Sequence, residues 1–394
     1  MTTLAGRSLG LLAAALFIAS MLAPPADAVP SFARQENVSC STCHTAWPML
    51  NSFGRKFKEQ GYQVMRGEPG DDMKISDELH LPEHLPFSLV LDMRPYDKKK
   101  NGEAKLRALH EVEILAAGNF GGWVSFFTEL EAEDEPDGGD TTNFDFEVPI
   151  GVVGIHFNEF FNITLGKSVA FFSDPYNLLN GSRKFTRARS RMLDKGRNNT
   201  LRTGLQNVEV SGRAGQVFYS VGLGADNHGD SSGGFEGDGP DVYSARVAAD
   251  VIKKELSVGA FYLDGKTDDT RLDYQRWGVD FQGQLNDFNY QGAYMRLEDD
   301  VSSTVEEQND LYLIELFYTC RSEMWDKLPI PVAQVVPFVR LERWEQSDGD
   351  DERTDLILNL QAYFTDNFRG SLEYFQTLDG PDDRRLTFFL KLGI

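Results

Sequence analysis

The chain has 394 residues, with 61 Asp and Glu against 39 Lys and Arg, and a formal net charge of −22 at pH 7. That balance argues against nucleic-acid binding, which needs clustered positive charge. A mean hydropathy of −0.37 rules out a bundle of apolar helices, but a membrane β-barrel stays open because alternating strands average to a low value.

Residues 1–28 read as an export signal. Arg7 supplies the positive start, Leu9 to Leu22 is a short apolar run, and Ala26-Asp27-Ala28 is a small-residue cleavage site. No later run of 18 or more apolar residues occurs, so no helical span is expected. An exported protein of this kind is either soluble in the periplasm or a barrel in the outer membrane. Three cysteines do not make a disulfide framework. Two belong to the motif below, and Cys320 is expected to be a buried or lumen-facing thiol.

Cys40-Ser41-Thr42-Cys43-His44 has the spacing of a c-type haem attachment site. Two thiols add to the two vinyl groups of one haem c, and the adjacent imidazole of His44 is the proximal iron ligand. A redox dithiol wants a βαβ context and a zinc site wants further Cys or His at matching spacing, and neither is present. The following stretch predicts an amphipathic helix. Leu50, Phe53 and Phe57 recur at helical spacing, Pro48 suits the first turn, and Gly61 suits the stop. The reading gives a small haem domain over 29–85. So short a domain has little core of its own, so the haem and an outside wall must supply part of its stability. The sixth iron ligand is left open among Met65, Met73, His80 and His84. Met49 is also a candidate, although it is too close to His44 in sequence to reach the opposite face easily.

From residue 86 the apolar period becomes two. Val217, Tyr219, Val221, Leu223 and Ala225 share one face, as do Leu256, Val258, Ala260 and Tyr262. So do Leu356, Leu358, Leu360, Ala362 and Phe364, and finally Leu386, Phe388, Leu390, Leu392 and Ile394. Marking strands this way gives about 16 segments of roughly ten residues each, the length a tilted spanning strand needs. They begin near residues 86, 104, 120, 143, 160, 202, 215, 240, 255, 272, 287, 309, 334, 353, 367 and 384. The expected fold is therefore all-β: an antiparallel barrel over 86–394 with the small helical haem domain in its lumen. Aromatic pairs near strand ends, Phe126-Phe127, Phe160-Phe161 and Phe388-Phe389, are expected in the interfacial girdles.

The connections alternate between short turns (GNFGG, NEF, GRAG, IKKE, LND, TDN) and long acidic loops such as EAEDEPDGGDTT and EDDVSSTVEEQND. Short turns face the periplasm in such barrels. The stretch from Cys320 to Gln334 is a long exception on that side. Loop 171–200 differs by being basic, with Arg183, Lys184, Arg187, Arg189, Arg191, Lys195 and Arg197. It is expected either to fold into the lumen against an acidic wall or a haem propionate, or to form an outer lip on anionic headgroups.

The run VPSFARQENVSCSTCHTAWPMLNSFGRKFKEQGY resembles the fused monohaem cytochrome–porins of iron-oxidising bacteria. The resemblance rests on Phe32-Ala33-Arg34-Gln35, on Cys40, Cys43 and His44, and on Phe53-Gly54-Arg55 with Gly61-Tyr62. It implies an Fe(II):cytochrome c oxidoreductase of the outer membrane. Extracellular Fe(II), or another redox partner, would be oxidised through the single haem c, and a periplasmic carrier such as a soluble cytochrome would receive the electron. The alternatives are a conduit to an extracellular acceptor and a solute porin with a haem-bearing plug. A fixed haem can serve both compartments only from inside the lumen, and acidic outer loops can concentrate a cation.

Overall fold

The computed structural model describes residues 30–64, 72–74, 80–82, 84–100, 102–134, 144–176, 178–179, 185–226, 240–253, 255–267, 272–321, 332–347 and 352–394, with the backbone alone for 72–74 and 80–82. The expected signal lies outside the described residues. Before the barrel come α1 (Pro30–Glu36), α2 (Cys40–Cys43), β1 (His44–Ala46), β2 (Met49–Leu50), α3 (Ser52–Glu59), β3 (Asp72–Lys74) and β4 (His80–Pro82). The first eight barrel strands are β5 (Phe87–Lys99), β6 (Ala104–Phe120), β7 (Val124–Glu133), β8 (Asp145–His156), β9 (Asn162–Val169), β10 (Gly204–Ala214), β11 (Val217–Asp226) and β12 (Val242–Ile252). The other eight are β13 (Leu256–Lys266), β14 (Asp273–Leu285), β15 (Phe288–Ser302), β16 (Val305–Tyr318), β17 (Gln334–Gln346), β18 (Glu352–Thr365), β19 (Phe368–Asp379) and β20 (Arg384–Gly393).

These sixteen strands pair antiparallel in chain order and close, β20 on β5, into a barrel. Closure satisfies every strand edge, which a chain in hydrocarbon requires. The chain end completes the seam, where Ile394 and Leu89 exchange backbone hydrogen bonds of 2.7 and 2.8 Å. The period-two pattern sorts as expected. Val221, Leu223, Val258, Tyr262, Leu358, Leu360, Leu386 and Phe388 all face outward and are exposed, whereas Asn207, Glu209, Ser244, Gln361 and Glu373 are buried on the lumen side. That apolar exterior is the surface of a bilayer-spanning wall.

Three expectations are corrected. The acidic segment around 298–310 is not a long loop: β15 and β16 run on as a ladder to Ser302 and Val305. Beyond the lipid belt both faces of a strand meet water, so the alternation ends while the hydrogen bonding continues. The aromatic pairs do not all point outward either. Phe389 is buried, Phe127 packs on Phe172 and Tyr62, and Phe126 stacks on Phe120 at 5.1 Å between ring centroids. Adjacent residues of a strand point to opposite faces, so one member of each strand pair is claimed by the lumen. Finally, α3 begins at Ser52 and not near Pro48. The Asn51 side chain caps it, accepting from Phe53 N at 2.9 Å and Gly54 N at 3.0 Å. Gly61, at φ 74°, sits where the stop was expected.

Two segments fill the lumen. Residues 30–64 enter from the end with the short turns: Asn119 donates to Gly61 O at 3.0 Å, and Arg213 grips Glu59 through two bonds of 2.6 and 2.7 Å. The basic loop folds inward, which excludes its role as an outer lip. The backbone N–H groups of Arg187 and Ala188 donate to the Glu373 carboxylate at 2.8 Å each, Arg191 N–H donates to Glu342 at 2.9 Å, and the Arg187 guanidinium reaches Asp97 at 3.1 Å. Its apolar residues Phe171, Leu179, Met192 and Leu193 pack on inward Phe261, Leu263, Met295, Leu297 and Leu311. Arg183 and Lys184 lie outside the described residues. Loop and N-terminal segment meet where Phe185 joins Ala46, Met49, Phe317, Phe338 and Tyr363 in one cluster.

Leu358 lies mid-strand in β18 and outward. Leu358→Arg is expected to destabilise the barrel by about 2–4 kcal/mol if that position lies at the bilayer midplane, read as a lower urea midpoint for folding in lipid vesicles. Asn359→Ala, on the lumen side, should leave that lipid-dependent penalty absent.

Candidate functional site

The Cys40–Cys43 turn is fixed from both sides. Asn51 N–H donates to Cys43 O at 2.9 Å and its side chain donates to Thr42 O at 3.0 Å, so the residue that caps α3 also binds the turn. Gly54 makes this close approach possible. A Cβ there would lie 2.2 Å from the Cys43 carbonyl oxygen, a backbone atom that cannot move aside. α1 is anchored to the barrel: Ser31 N–H donates to Ser88 Oγ at 2.9 Å and Gln35 to Ala117 O at 3.0 Å.

Cys40, Cys43 and His44 open together onto a cavity of about 170 Å³ between this segment and the inner wall. Its apolar lining is Phe32, Phe57, Tyr62, Leu115, Phe127 and Phe172, and its charged lining is Lys58, Glu113, Glu129, Arg369 and Lys391. Phe32 stacks on Tyr62 at 4.7 Å and meets Phe57 edge-on at 5.3 Å, which makes one wall rigid. Arg369 and Lys391 lie over the Trp47 ring at 4.9 and 5.4 Å, and Arg369 also donates to Trp47 O at 2.9 Å. Lys391 Nζ pairs with Glu113 at 2.9 Å, and Lys58 Nζ donates to Phe172 O and Asp174 O.

The residue types suit a haem c: two thiols and an imidazole on one side, aromatic side chains for a ring, and three cations in the lining that could pair with its carboxylates. Burial, with Glu36 adding repulsion, pushes the Cys43 thiol up to about 11. The unmodified thiol is then poorly nucleophilic at neutral pH, unlike the low-pKa cysteine of a dithiol oxidoreductase.

The candidate sixth ligands are not gathered here. Met49 is buried in the cluster with Phe185 and Tyr363 and does not line the cavity. His84 is exposed and does not line it either. Met73 and His80 lie on the paired β3 and β4, with backbone alone described, and Met65 lies outside the described residues. Among the described residues the lining holds one histidine, His44, and no methionine. Cys320 is half-buried beside β17, its N–H donating to Val335 O at 2.9 Å.

Sequence reading missed the barrel's share of the cavity: Glu113, Leu115, Phe127, Glu129, Arg369 and Lys391. All but Leu115 and Phe127 are charged residues at inward positions of alternating strands, and that is the signal they carried. Gly54→Ala is expected to displace α3 from the Cys40–Cys43 turn. The check is the pyridine haemochrome yield per purified chain, expected to fall several-fold while the heat-modifiable band of the folded barrel persists.

Neither a protein-family model nor a curated protein matches the sequence. Solved structures match the fold. A loop-deletion form of the outer-membrane protein OmpT of Vibrio cholerae aligns with TM-score 0.56 at 14% identity, over 78% of this chain and 98% of that one. OmpF of Salmonella typhi aligns with TM-score 0.56 at 12% identity, over 79% and 98%. An anion-selective porin from Comamonas acidovorans gives 0.55 at 11%, over 78% and 98%. The fold is that of an outer-membrane porin barrel.

Proposed function

We propose that the chain is an outer-membrane electron conduit that oxidises extracellular Fe(II) and delivers the electron to a periplasmic carrier. One observation carries the reading. The cavity at Cys40, Cys43 and His44 is lined mostly by the N-terminal segment and closed on its other side by strands of the barrel, so a redox group held there would stand inside the lumen, between two compartments. When bound, haem c supplies a one-electron couple at that position. Cys40 and Cys43 would hold it covalently and His44 would ligate its iron, in keeping with the resemblance to the fused monohaem cytochrome–porins. Phe32, Phe57, Tyr62 and Phe127 exclude water from its faces. Lys58, Arg369 and Lys391 neutralise its carboxylates and the neighbouring Glu113 and Glu129. Each Fe(II) oxidised to Fe(III) releases one electron, and one equivalent of carrier is reduced.

The porin fold favours a second reading, a solute channel with a stopper. The two segments in the lumen oppose it, because both are bonded to the wall along their lengths. Full-length protein in liposomes is expected to swell them in a small sugar far more slowly than an open porin does. Fast swelling would favour the channel reading.

The direct test adds Fe(II) to the oxidised, detergent-solubilised protein. Appearance of a reduced c-type spectrum is expected, and His44→Ala should lose it. No reduction by Fe(II) sinks the Fe(II) assignment, and a clearly low midpoint potential would reverse the direction toward an extracellular acceptor.

A further inference from the structure

A second cluster of donor atoms lies on the lumen wall apart from the haem cavity. On β5 and β6 the register passes from Asp92↔Glu111 to Arg94↔Arg107. One residue of β5, Met93, therefore faces three of β6, Ala108 to His110. Such bulges break the period of two and re-aim side chains. Here the bulge sends successive residues, His110 and Glu111, both into the buried interior, and each is fully enclosed. Glu133 stands across from Glu111 in the β6–β7 ladder. One nitrogen of His110 and one oxygen each of Glu111 and Glu133 lie within 4.8 Å of one another.

The histidine is oriented. Its Nδ1 contacts the buried Asp134 carboxylate, which also meets the Arg107 guanidinium at 3.4 Å, and Arg107 stands 3.2 Å from Nδ1. A carboxylate only accepts, so a ring proton on Nδ1 satisfies Asp134, Arg107 is left to donate to that same carboxylate, and Nε2 is the nitrogen turned toward Glu111 and Glu133. That Nε2 is buried and makes no hydrogen bond, yet Glu133 Oε1 is 2.9 Å away. A 2.9 Å approach of Nε2 to a carboxylate oxygen needs a positive charge at that point, supplied either by a proton on Nε2 or by a metal ion that both atoms ligate. Cross-strand carboxylates also repel when directly opposed, and β6 and β7 oppose Glu111 to Glu133 and, one rung along, Glu113 to Glu131. Lys391 answers the second rung at Glu113. Near the first, Arg107 meets Asp134, and the buried Arg94, 3.7 Å from Asp92, also lies in the field of Glu111 and Glu133, so one guanidinium is shared among three carboxylates.

We propose that His110, Glu111 and Glu133 bind a divalent first-row transition-metal ion in the lumen, with Asp134 positioning the imidazole. One nitrogen and two carboxylate oxygens suit Fe²⁺, Mn²⁺, Co²⁺ or Zn²⁺ better than Ca²⁺, and a carboxylate behind the ligating histidine is the usual support of such sites. Glu111 and the cavity-lining Glu113 are two residues apart on one strand, roughly 7 Å. If the electron-transfer reading holds, the ion is substrate Fe(II) held beside the cavity. The binding site itself does not need that reading.

The test uses the full-length, haem-loaded protein in detergent and redox-silent Mn²⁺, followed by EPR. One ion per chain is expected above a weak background from the acidic surface, with electron-spin-echo modulation from a histidine nitrogen. Glu133→Gln and His110→Gln should weaken that ion at least about tenfold, and Asp134→Asn by about 10–100-fold. Glu306→Gln, in the outer hairpin, should leave it unchanged. Equal Mn²⁺ binding by Glu133→Gln and the parent, or binding without nitrogen modulation, overturns the proposal, and His110 is then an imidazolium paired with two carboxylates. Heat-modifiable migration and the haem spectrum report folding in each variant. Fe(II) reduction of the haem is scored separately, so a failed oxidase reading leaves the Mn²⁺ result standing.

Discussion

A segment of some 35 residues cannot wall a cavity by itself, and the rest of the structure follows from that shortage of surface. Residues 30–64 provide two thiols, an imidazole and one aromatic wall. The other wall comes from Leu115, Phe127 and the charged positions of β6, β7, β19 and β20. The barrel is thus both the solution to crossing a bilayer, where every backbone group must be bonded, and the missing half of a binding site. A barrel of sixteen strands is wide enough to leave a channel. Here the N-terminal segment and the inward basic loop take up much of that space from opposite ends and share the cluster around Phe185.

Charge in the lumen is organised by the same economy. The wall is rich in carboxylates, and the chain carries a net charge of −22. Inside, several buried acids are met by a cation or a backbone N–H. Glu373 is met by the N–H groups of residues 187 and 188, Asp280 by Arg246, Asp299 by Arg276 and Glu315 by Arg340. Buried pairs of this kind add little net stability, but they are costly to break singly, so they fix where the loop lies.

Much of the fold was legible because lipid on one side and a polar lumen on the other write a period of two into the sequence. Starts of β5, β12, β13, β17, β19 and β20 fall within about two residues of where the alternation begins. The same logic explains where reading stopped. Past the belt both faces are wet, so the extension of β15 and β16 left no apolar trace. Within β6 a bulge put His110 and Glu111 on one side, against the alternation that the reading relied on. At the site, Cys40, Cys43 and His44 were legible as a local motif, whereas the Asn51 cap was missed because Pro48 suits a first turn. Arg369 and Lys391 were not legible, because they reach the cavity from more than 300 residues away and nothing local marks an inward lysine as a cavity wall. The sixth-ligand candidates illustrate the converse. Met49 is near His44 in sequence, yet the β1–β2 hairpin turns it toward Phe317 and Phe338.

The closing seam has a consequence for biogenesis. β20, the last strand made, pairs with β5, the first, and it contributes Lys391 to the cavity beside Trp47. The pocket is therefore an object of very high contact order: its lining runs from Phe32 to Lys391. Until the final ten residues dock, the groove at Cys40 and Cys43 lacks one flank and stays open to the side. Closing the ring of strands and completing the cavity wall are therefore one event.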